Sequence, residues 1–246
     1  MEKPSIDVFT LCYNEEVLMP YFLRHYMEFC ENIFIYDNFS TDNSCRIASG
    51  NKNVHIRKFD TNNQIRDDIY LEIKNNCWKE SNADLVIVCD MDEFLYHRNI
   101  TRFLKRFKSL GYTIARPTAF DMFSQKVPIG EGHIYKEVTI GARNMFFDKM
   151  LLFDPRKIKE TNYYPGCHYA IPEGEVKLYK NDNALKLLHF KYLGIDYVMN
   201  RHLIYRNRLS NINRQNQWGK EYEKDYEEEI KSKINKHLAD GELLEL

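Results

Sequence analysis

The chain has 246 residues, 43% of them hydrophobic, enough for one substantial core or for one domain with an appendage. A formal net charge of −1 supplies no global basic field for nucleic acid or an anionic membrane. No run approaches the roughly 20 apolar residues of a membrane span, and residues 1–5 are polar, with no leader visible. The six cysteines (Cys12, Cys30, Cys45, Cys77, Cys89 and Cys167) are scattered without a Cys-x-x-Cys pair, as expected for reduced core thiols of a cytoplasmic protein with no zinc site.

In chain order, residues 6–12 alternate and are rich in strand formers, so they read as a first strand. Asn14 is placed to N-cap a following helix, with Glu15 and Glu16 in its first turn. Pro20 requires that helix to begin near Met19 or to kink there, and Phe22, Tyr26 and Phe29 form its buried stripe. Residues 33–36 are a second strand, ending in the turn- and cap-rich Asp37-Asn38-Phe39-Ser40-Thr41-Asp42. A short helix then closes at Gly50. Residues 54–59 are a third strand, followed by Gln64, Arg66 and a helix over 67–80 with Ile69, Ile73 and Cys77 spaced by four. The apolar run 85–89, a strand buried on both faces, leads into Asp90-Met91-Asp92-Glu93-Phe94.

Strands alternating with helices make parallel βαβ units, and open sheets of this kind bind ligands beyond the carboxyl ends of their strands. Asn14, Asp37, Gln64 with Arg66, and Asp90 with Asp92 each follow a successive strand and fall on that one edge. Asp90 and Asp92 flank one residue, so in an extended segment both carboxylates point the same way. Such hard oxygen ligands suit Mg²⁺ or Mn²⁺. A polar turn capping a helix near Glu93 is the simpler reading of that motif alone. No Gly-x-Gly-x-x-Gly follows the first strand and no Gly-x-x-x-x-Gly-Lys occurs, which disfavours a dinucleotide fold or a P-loop.

Cys12-Tyr13-Asn14-Glu15, Tyr36-Asp37-Asn38-Phe39-Ser40-Thr41-Asp42 and Asp90-Met91-Asp92-Glu93-Phe94 together resemble the GT-A glycosyltransferases, specifically those similar to family 2. The resemblance is close over residues 5–95 and looser through Asp148-Lys149, Pro165-Gly166-Cys167-His168 and Leu187-Leu188-His189-Phe190. It implies a GT-A-like, Rossmann-like α/β fold, with a mixed sheet centred on parallel strands and flanked by helices. It also implies that Asp37 contacts the base, that Asp90 and Asp92 hold the metal and the donor diphosphate, and that a late histidine completes the metal shell. Phe39 departs from the glycine usual in the family and alters the ribose pocket.

The second half reads as an acceptor side. Residues 100–110 look helical, with Arg102, Lys105, Arg106 and Lys108 on a solvated face, and residues 112–116 and 119–123 look like strand interrupted at Pro117. Residues 146–153 read as a strand whose Asp148-Lys149 is either an exposed pair or a point charge for the diphosphate through Lys149. His168 and His189 each lie among aromatic and apolar residues, where core histidines are common. His189 is favoured as the metal ligand, with His168 the rival or a lining of the acceptor pocket. Glu173 and Glu175, with Asp121 third, are the carboxylates offered as general base. Beyond Gly194 the chain is helical. Ile195, Val198, Met199, Leu203 and Leu209 make one face, carrying Arg201, Arg206, Arg208 and Arg214. Tyr222, Tyr226, Ile230, Ile234 and Leu238 make a second stripe.

The domain reading is a catalytic unit over 1–194 (nucleotide-sugar half 1–95, acceptor half 96–194) and a helical extension over 195–246. The extension is expected to pack on the domain, or to pair with a second copy in a homodimer, and its basic helix offers a peripheral contact at the inner face of a membrane. The expected activity is metal-dependent, inverting transfer of a sugar from a nucleotide-diphosphate sugar to a glycan or lipid-linked hydroxyl, in polysaccharide biosynthesis. The alternatives are a nucleotidyltransferase on a similar sheet and a non-catalytic nucleotide-sugar-binding module.

Overall fold

In the computed structural model, which describes residues 2–180, 184–224 and 227–246, the first half alternates strand and helix. Strands β1 (Ile6–Cys12), β2 (Asn32–Asp37), β3 (Val54–Lys58) and β4 (Leu85–Cys89) are linked by helices α1 (Met19–Tyr26), α2 (Ser44–Ser49) and α3 (Asp67–Asn76). β1 pairs in parallel with β2 and β4, and β2 with β3, so the carboxyl ends of all four share one edge. All five residues of β4 are buried, as the unbroken apolar run requires of a strand covered on both faces.

The remaining elements are β5 (Glu93–Tyr96), α4 (Ile100–Ser109), β6 (Ile114–Arg116), β7 (Thr118–Ser124), α5 (Ile134–Glu137), β8 (Ile140–Arg143), β9 (Leu152–Phe153), β10 (Ile158–Glu160), β11 (Glu173–Gly174), β12 (Leu178–Lys180) and β13 (Lys186–Leu193), then α6 (Ile195–Arg208), α7 (Asn211–Gln215), α8 (Glu227–Asp240) and β14 (Glu242–Leu243). They widen the first sheet to β12-β6-β9-β4-β1-β2-β3, with β9 antiparallel to both neighbours. They also build a second sheet, β14-β8-β7-β13-β5. Within it β13 runs parallel to β7 and antiparallel to β5, and this register sets His189 opposite Asp121 on one side and Glu93 on the other.

The main core joins α1 to both sheets through Phe22, Tyr26, Phe94, Leu188 and Phe190. A second cluster around Phe9, Trp78, Val88 and Phe153 covers the other face of the first sheet. A third, of Phe123, Tyr192, Val198 and Ile234, fastens α6 and α8 onto the second sheet. The apolar stripe of the last helix is therefore used within the chain; Tyr226 lies outside the described residues. Among the described residues, no helix is long and apolar enough to cross a membrane, and all six cysteines are free thiols.

Local expectations are corrected at three places. α1 starts at Met19 with Pro20 in its first turn, where a missing N–H costs nothing, so Glu15 and Glu16 precede the helix and Asn14 does not cap it. Asn14 instead takes a left-handed φ of 53° and accepts the Thr41 N–H at 2.7 Å, stitching two loops together. α3 ends at Asn76, four residues short of Glu80. The strand expected over 146–153 is a 3-10 turn at Met145–Phe147, and only Leu152–Phe153 pairs as strand.

Candidate active site

Beyond the carboxyl edge of the first sheet lies a cavity of about 650 Å³, walled by the β1 and β4 ends, α3, residues 146–149 and 165–168, β13, and the segment from α6 to α8. The β4–β5 turn delivers its two aspartates to different partners. Residues 90–92 are not extended, so Asp90 and Asp92 diverge instead of sharing one face. Asp90 receives Lys74 on Oδ1 at 2.5 Å and Lys149 on Oδ2 at 2.9 Å. Burial alone would raise its carboxyl, but Lys149 and Lys74 outweigh this and hold it well below the usual carboxylate range. Lys149 is buried and also meets the buried Glu93 Oε1 at 2.5 Å, off the hydrogen-bonding direction. The opposing pull of burial on this lysine is overcome by Asp90 and Glu93, which keep it charged.

Asp92 turns the other way. Its backbone carbonyl accepts the Phe190 N–H at 2.8 Å, which brings His189 alongside. Asp92 Oδ2 lies 3.6 Å from His189 Nε2 and 3.3 Å from Arg201 Nη2. His189 Nδ1 is 2.8 Å from Asp121 Oδ1, and Asp121 Oδ2 accepts from Asn144 Nδ2 at 2.9 Å. Burial would depress the imidazole, yet Asp92 and Asp121 raise it to about 9, so His189 is an imidazolium near neutrality. Burial would raise Asp92, but His189 and then Arg201 hold it below the usual carboxylate range.

Arg201 of α6 completes the cluster. It reaches Glu15 Oε2 at 2.5 Å and donates to the hydroxyls of Tyr197 and Tyr205, one turn either side of it, at 3.1 and 2.8 Å. Glu15 is pushed up to about 7, by burial first and by nearby Asp92, against the lowering pull of Arg201. Further along α6, Arg208 lies over the Tyr13 ring, 3.1 Å from its centroid, and donates to the Asn38 side chain. Asn213 and Asp67 exchange hydrogen bonds at 3.1 and 2.7 Å, so α7 is tied to the start of α3. Asp67 is raised to about 6, chiefly by burial, with the Lys74 charge opposing.

The expected site residues are thus partly gathered. Glu15, Asp90, Asp92, Lys149, His168 and His189 line the cavity. Asp37 does not; it is 0% exposed, accepts the Ser40 N–H at 3.2 Å and lies 3.9 Å from Lys58, while the next residue, Asn38, reaches the cavity wall. Asn14 is absorbed by the loop, Gln64 is exposed, and Arg66 turns to Asp68 at 2.6 Å; none of the three lines the cavity. Glu173 and Glu175 are exposed and bound to Asn162 and Lys157 at 2.9 Å, because the β10–β11 pair carries them away from the cavity. Asp121 is committed to His189. The sequence reading missed Lys74, Arg201, Tyr205 and Arg208, all supplied by helices. On α3 the cavity-lining residues Asp67, Tyr70, Leu71 and Lys74 follow one helical stripe, a signal present in the sequence.

Among the described residues, no group of three or more His, Cys, Asp or Glu side chains is arranged to hold a metal ion. The pair able to share one is Asp92 with His189: their 3.6 Å separation is near the roughly 3 Å between adjacent ligands of an octahedral ion. The Asp121 contact on Nδ1 fixes the imidazole so that Nε2, once deprotonated, is the atom turned toward a metal beside Asp92. Asp90 does not fit as a ligand, since both its oxygens are taken by lysines.

No protein-family model matches the sequence, and no curated protein does. Solved structures are similar to this chain. Residues 1–349 of TarS from S. aureus align over 81% of this chain and 64% of theirs, with a TM-score of 0.50 and 14% identity. Glucosyl-3-phosphoglycerate synthase from Mycobacterium tuberculosis, solved with Mn²⁺, UDP and glucosyl-3-phosphoglycerate, aligns over 48% of this chain and 44% of its own, with a TM-score of 0.34 and 14% identity. The chain therefore spans less than two thirds of the TarS fragment. The fold is GT-A-like, as the sequence motifs imply.

Proposed function

We propose that this protein is a glycosyltransferase that moves a sugar from a nucleotide-diphosphate sugar to a hydroxyl of a glycan or lipid-linked acceptor. The observation that carries this reading is the cavity at the carboxyl edge of a GT-A-like sheet, where buried cations and carboxylates from six separate segments converge. Four carboxylates (Glu15, Asp90, Asp92 and Glu93) face four cations there: Lys74, Lys149, Arg201 and the imidazolium of His189. Asp92 and His189, the imidazolium giving up its Nε2 proton to solvent as the ion binds, would hold a divalent Mn²⁺ or Mg²⁺, which would supply Lewis-acid stabilisation of the departing nucleoside diphosphate.

The chain's own residues have distinct tasks in this reading. Asp90 holds the ammonium groups of Lys74 and Lys149 at the cavity wall, where they attract the diphosphate. Arg201, flanked by Tyr197 and Tyr205, bridges Glu15 and Asp92. Asp121 and Asn144 orient His189. Stacking of the base is offered by Tyr13 under Arg208, beside Asn38, instead of a direct contact from Asp37. Direct in-line attack by the acceptor hydroxyl would form the new bond to the anomeric carbon as its bond to the diphosphate oxygen breaks, inverting that centre, with the hydroxyl proton passing to a cavity carboxylate and the nucleoside diphosphate leaving. Residues 195–246 belong to the catalytic unit in this reading, because they wall the donor cavity.

A thermal-shift panel of nucleotide sugars with and without Mn²⁺, followed by product analysis, tests the proposal. A nucleoside diphosphate released with transfer to an acceptor is the expected result. Pyrophosphate would assign nucleotidyl transfer, and binding without turnover across acceptors would leave a nucleotide-sugar-binding module.

A further inference from the structure

One wall of the cavity is built of rings that lead from the site to the surface. Phe147 stacks on His189 with centroids 4.2 Å apart and planes 26° from parallel. His168 meets Phe147 edge-on at 4.5 Å, and Phe146 stacks on His168 at 4.1 Å and 30°. Phe146 is 65% exposed, and the Tyr164–Tyr169 pair in the 163–171 loop that carries His168, its centroids 5.2 Å apart, is 50% and 58% exposed. Large aromatic side chains left in water together need a reason that scattered ones do not.

The loop is shaped to present them. It closes through the Tyr164 N–H on the Tyr169 carbonyl at 3.0 Å and the Tyr163–Ala170 bridge. At its tip Gly166 and Cys167 both take left-handed φ values, 75° and 57°. A Cβ at Gly166 would come within 2.6 Å of His168 Cδ2, so the glycine is what admits the imidazole to the wall. A non-glycine residue in that conformation is strained, and such strain collects where a surface is held for a ligand. His168 Nδ1 is buried without a hydrogen-bond partner. Burial, then the Lys149 charge, lowers this imidazole to about 3, so the wall is neutral.

We propose that the wall of Phe146, Phe147 and His168, with Tyr164 and Tyr169 at its rim, is an acceptor subsite that takes an uncharged sugar ring. A pyranose presents a C–H face to an aromatic ring and hydroxyls at its edge, and tyrosine and histidine answer with an apolar face and a polar edge. A sugar on Phe146 lies next to the rings that touch His189, with its hydroxyls toward the donor cavity. An acyl chain would not use the phenol and imidazole edges. The acceptor role rests on the transferase reading; the sugar-binding site itself does not.

The test is saturation-transfer NMR of the whole protein with a panel of methyl pyranosides (gluco, galacto, manno and N-acetylglucosamine) at millimolar concentration. UDP affinity is measured alongside. At least one glycoside should receive saturation on its ring C–H protons. Phe146→Ala, at an exposed position that does not support the core, should weaken that glycoside by about tenfold, or ~1.4 kcal/mol, with Phe146→Trp retaining it and UDP affinity falling by less than the glycoside's. A panel without saturation, or saturation equal in Phe146→Ala, overturns the proposal. Phe146-dependent flotation with phosphatidylglycerol vesicles and no sugar signal also overturns it, in favour of a membrane contact. Sugar binding without UDP binding would leave the subsite standing and remove the transferase reading.

Discussion

Replacing Lys149 by methionine isolates the electrostatics that hold the acidic turn. The lysine is buried and joins two carboxylates, Asp90 at 2.9 Å and Glu93 at 2.5 Å. After Lys149→Met, Asp90 still has Lys74 at 2.5 Å, whereas Glu93, 1% exposed, keeps only the Asp90 N–H at 3.0 Å. Removing one partner of a buried pair costs about 3–5 kcal/mol, and the surviving Lys74 contact places this case at the lower end, about 3 kcal/mol. For a chain of this length that is a fall in melting temperature of roughly 6–12 °C. Urea unfolding followed by circular dichroism measures the first quantity and a thermal melt the second. The double variant Lys149→Met with Glu93→Gln removes the stranded charge and should regain more than half of the loss. High salt should not mimic the single variant, because a buried pair is weakly screened. A single variant within about 0.5 kcal/mol of the parent, a difference typical of surface substitutions, would refute the reasoning, as would a double variant no better than the single.

The proposed metal pair gives a second prediction: Asp121→Asn, which leaves the ligand atoms in place but weakens the hold on His189, should raise the Mn²⁺ needed for half-maximal activity by about 10- to 100-fold. His189→Ala should raise it further and His168→Ala should not, read by activity titration and Mn²⁺ calorimetry. A third concerns Asp84, whose carboxyl is lowered to about 2: burial would raise it, but Lys108, the Ser5 N–H and Arg156 prevail. Its folded pKa is depressed, so its contribution is present above the unfolded value near 4 and is lost as pH falls toward 2. The side chain is 30% exposed, which discounts the contribution to about 1 kcal/mol. Asp84→Asn should therefore destabilise the protein by that amount at pH 6, with the gap closing below about pH 4 in urea titrations.

The strand–helix alternation, the parallel order of β1 to β4 and the edge on which the polar residues fall were all legible, because each rests on a local period of apolar residues. Asp92 and His189 were legible as a pair only in part. The residue types suggested metal chemistry, but their meeting depends on β13 lying between β5 and β7, which no local pattern encodes. Glu173 and Glu175 misled because acidity in a loop says nothing about which way the loop faces. Asp37 misled because its sheet-edge position is right while its carboxylate is consumed by its own turn.

The helix-borne cations expose a more general reason. Reading α6 for its apolar residues put Leu203 on the packed face, yet Leu203 is exposed, and the cavity is lined by Val198, Arg201, His202, Tyr205 and Arg208. Those five also recur at helical spacing, so the period was present but carried by amphipathic and charged side chains. A helix that walls a polar cavity inverts the usual rule: its inward face must carry charge to meet buried carboxylates, here Arg201 on Glu15 and Asp92. Burying an arginine is costly unless such partners wait for it. Their separation in sequence, 186 residues for Glu15 and 109 for Asp92, hides the requirement until the chain is folded. A polar stripe at helical spacing, far along the chain from an acidic edge motif, is therefore the pattern that identifies the missing wall of such a site.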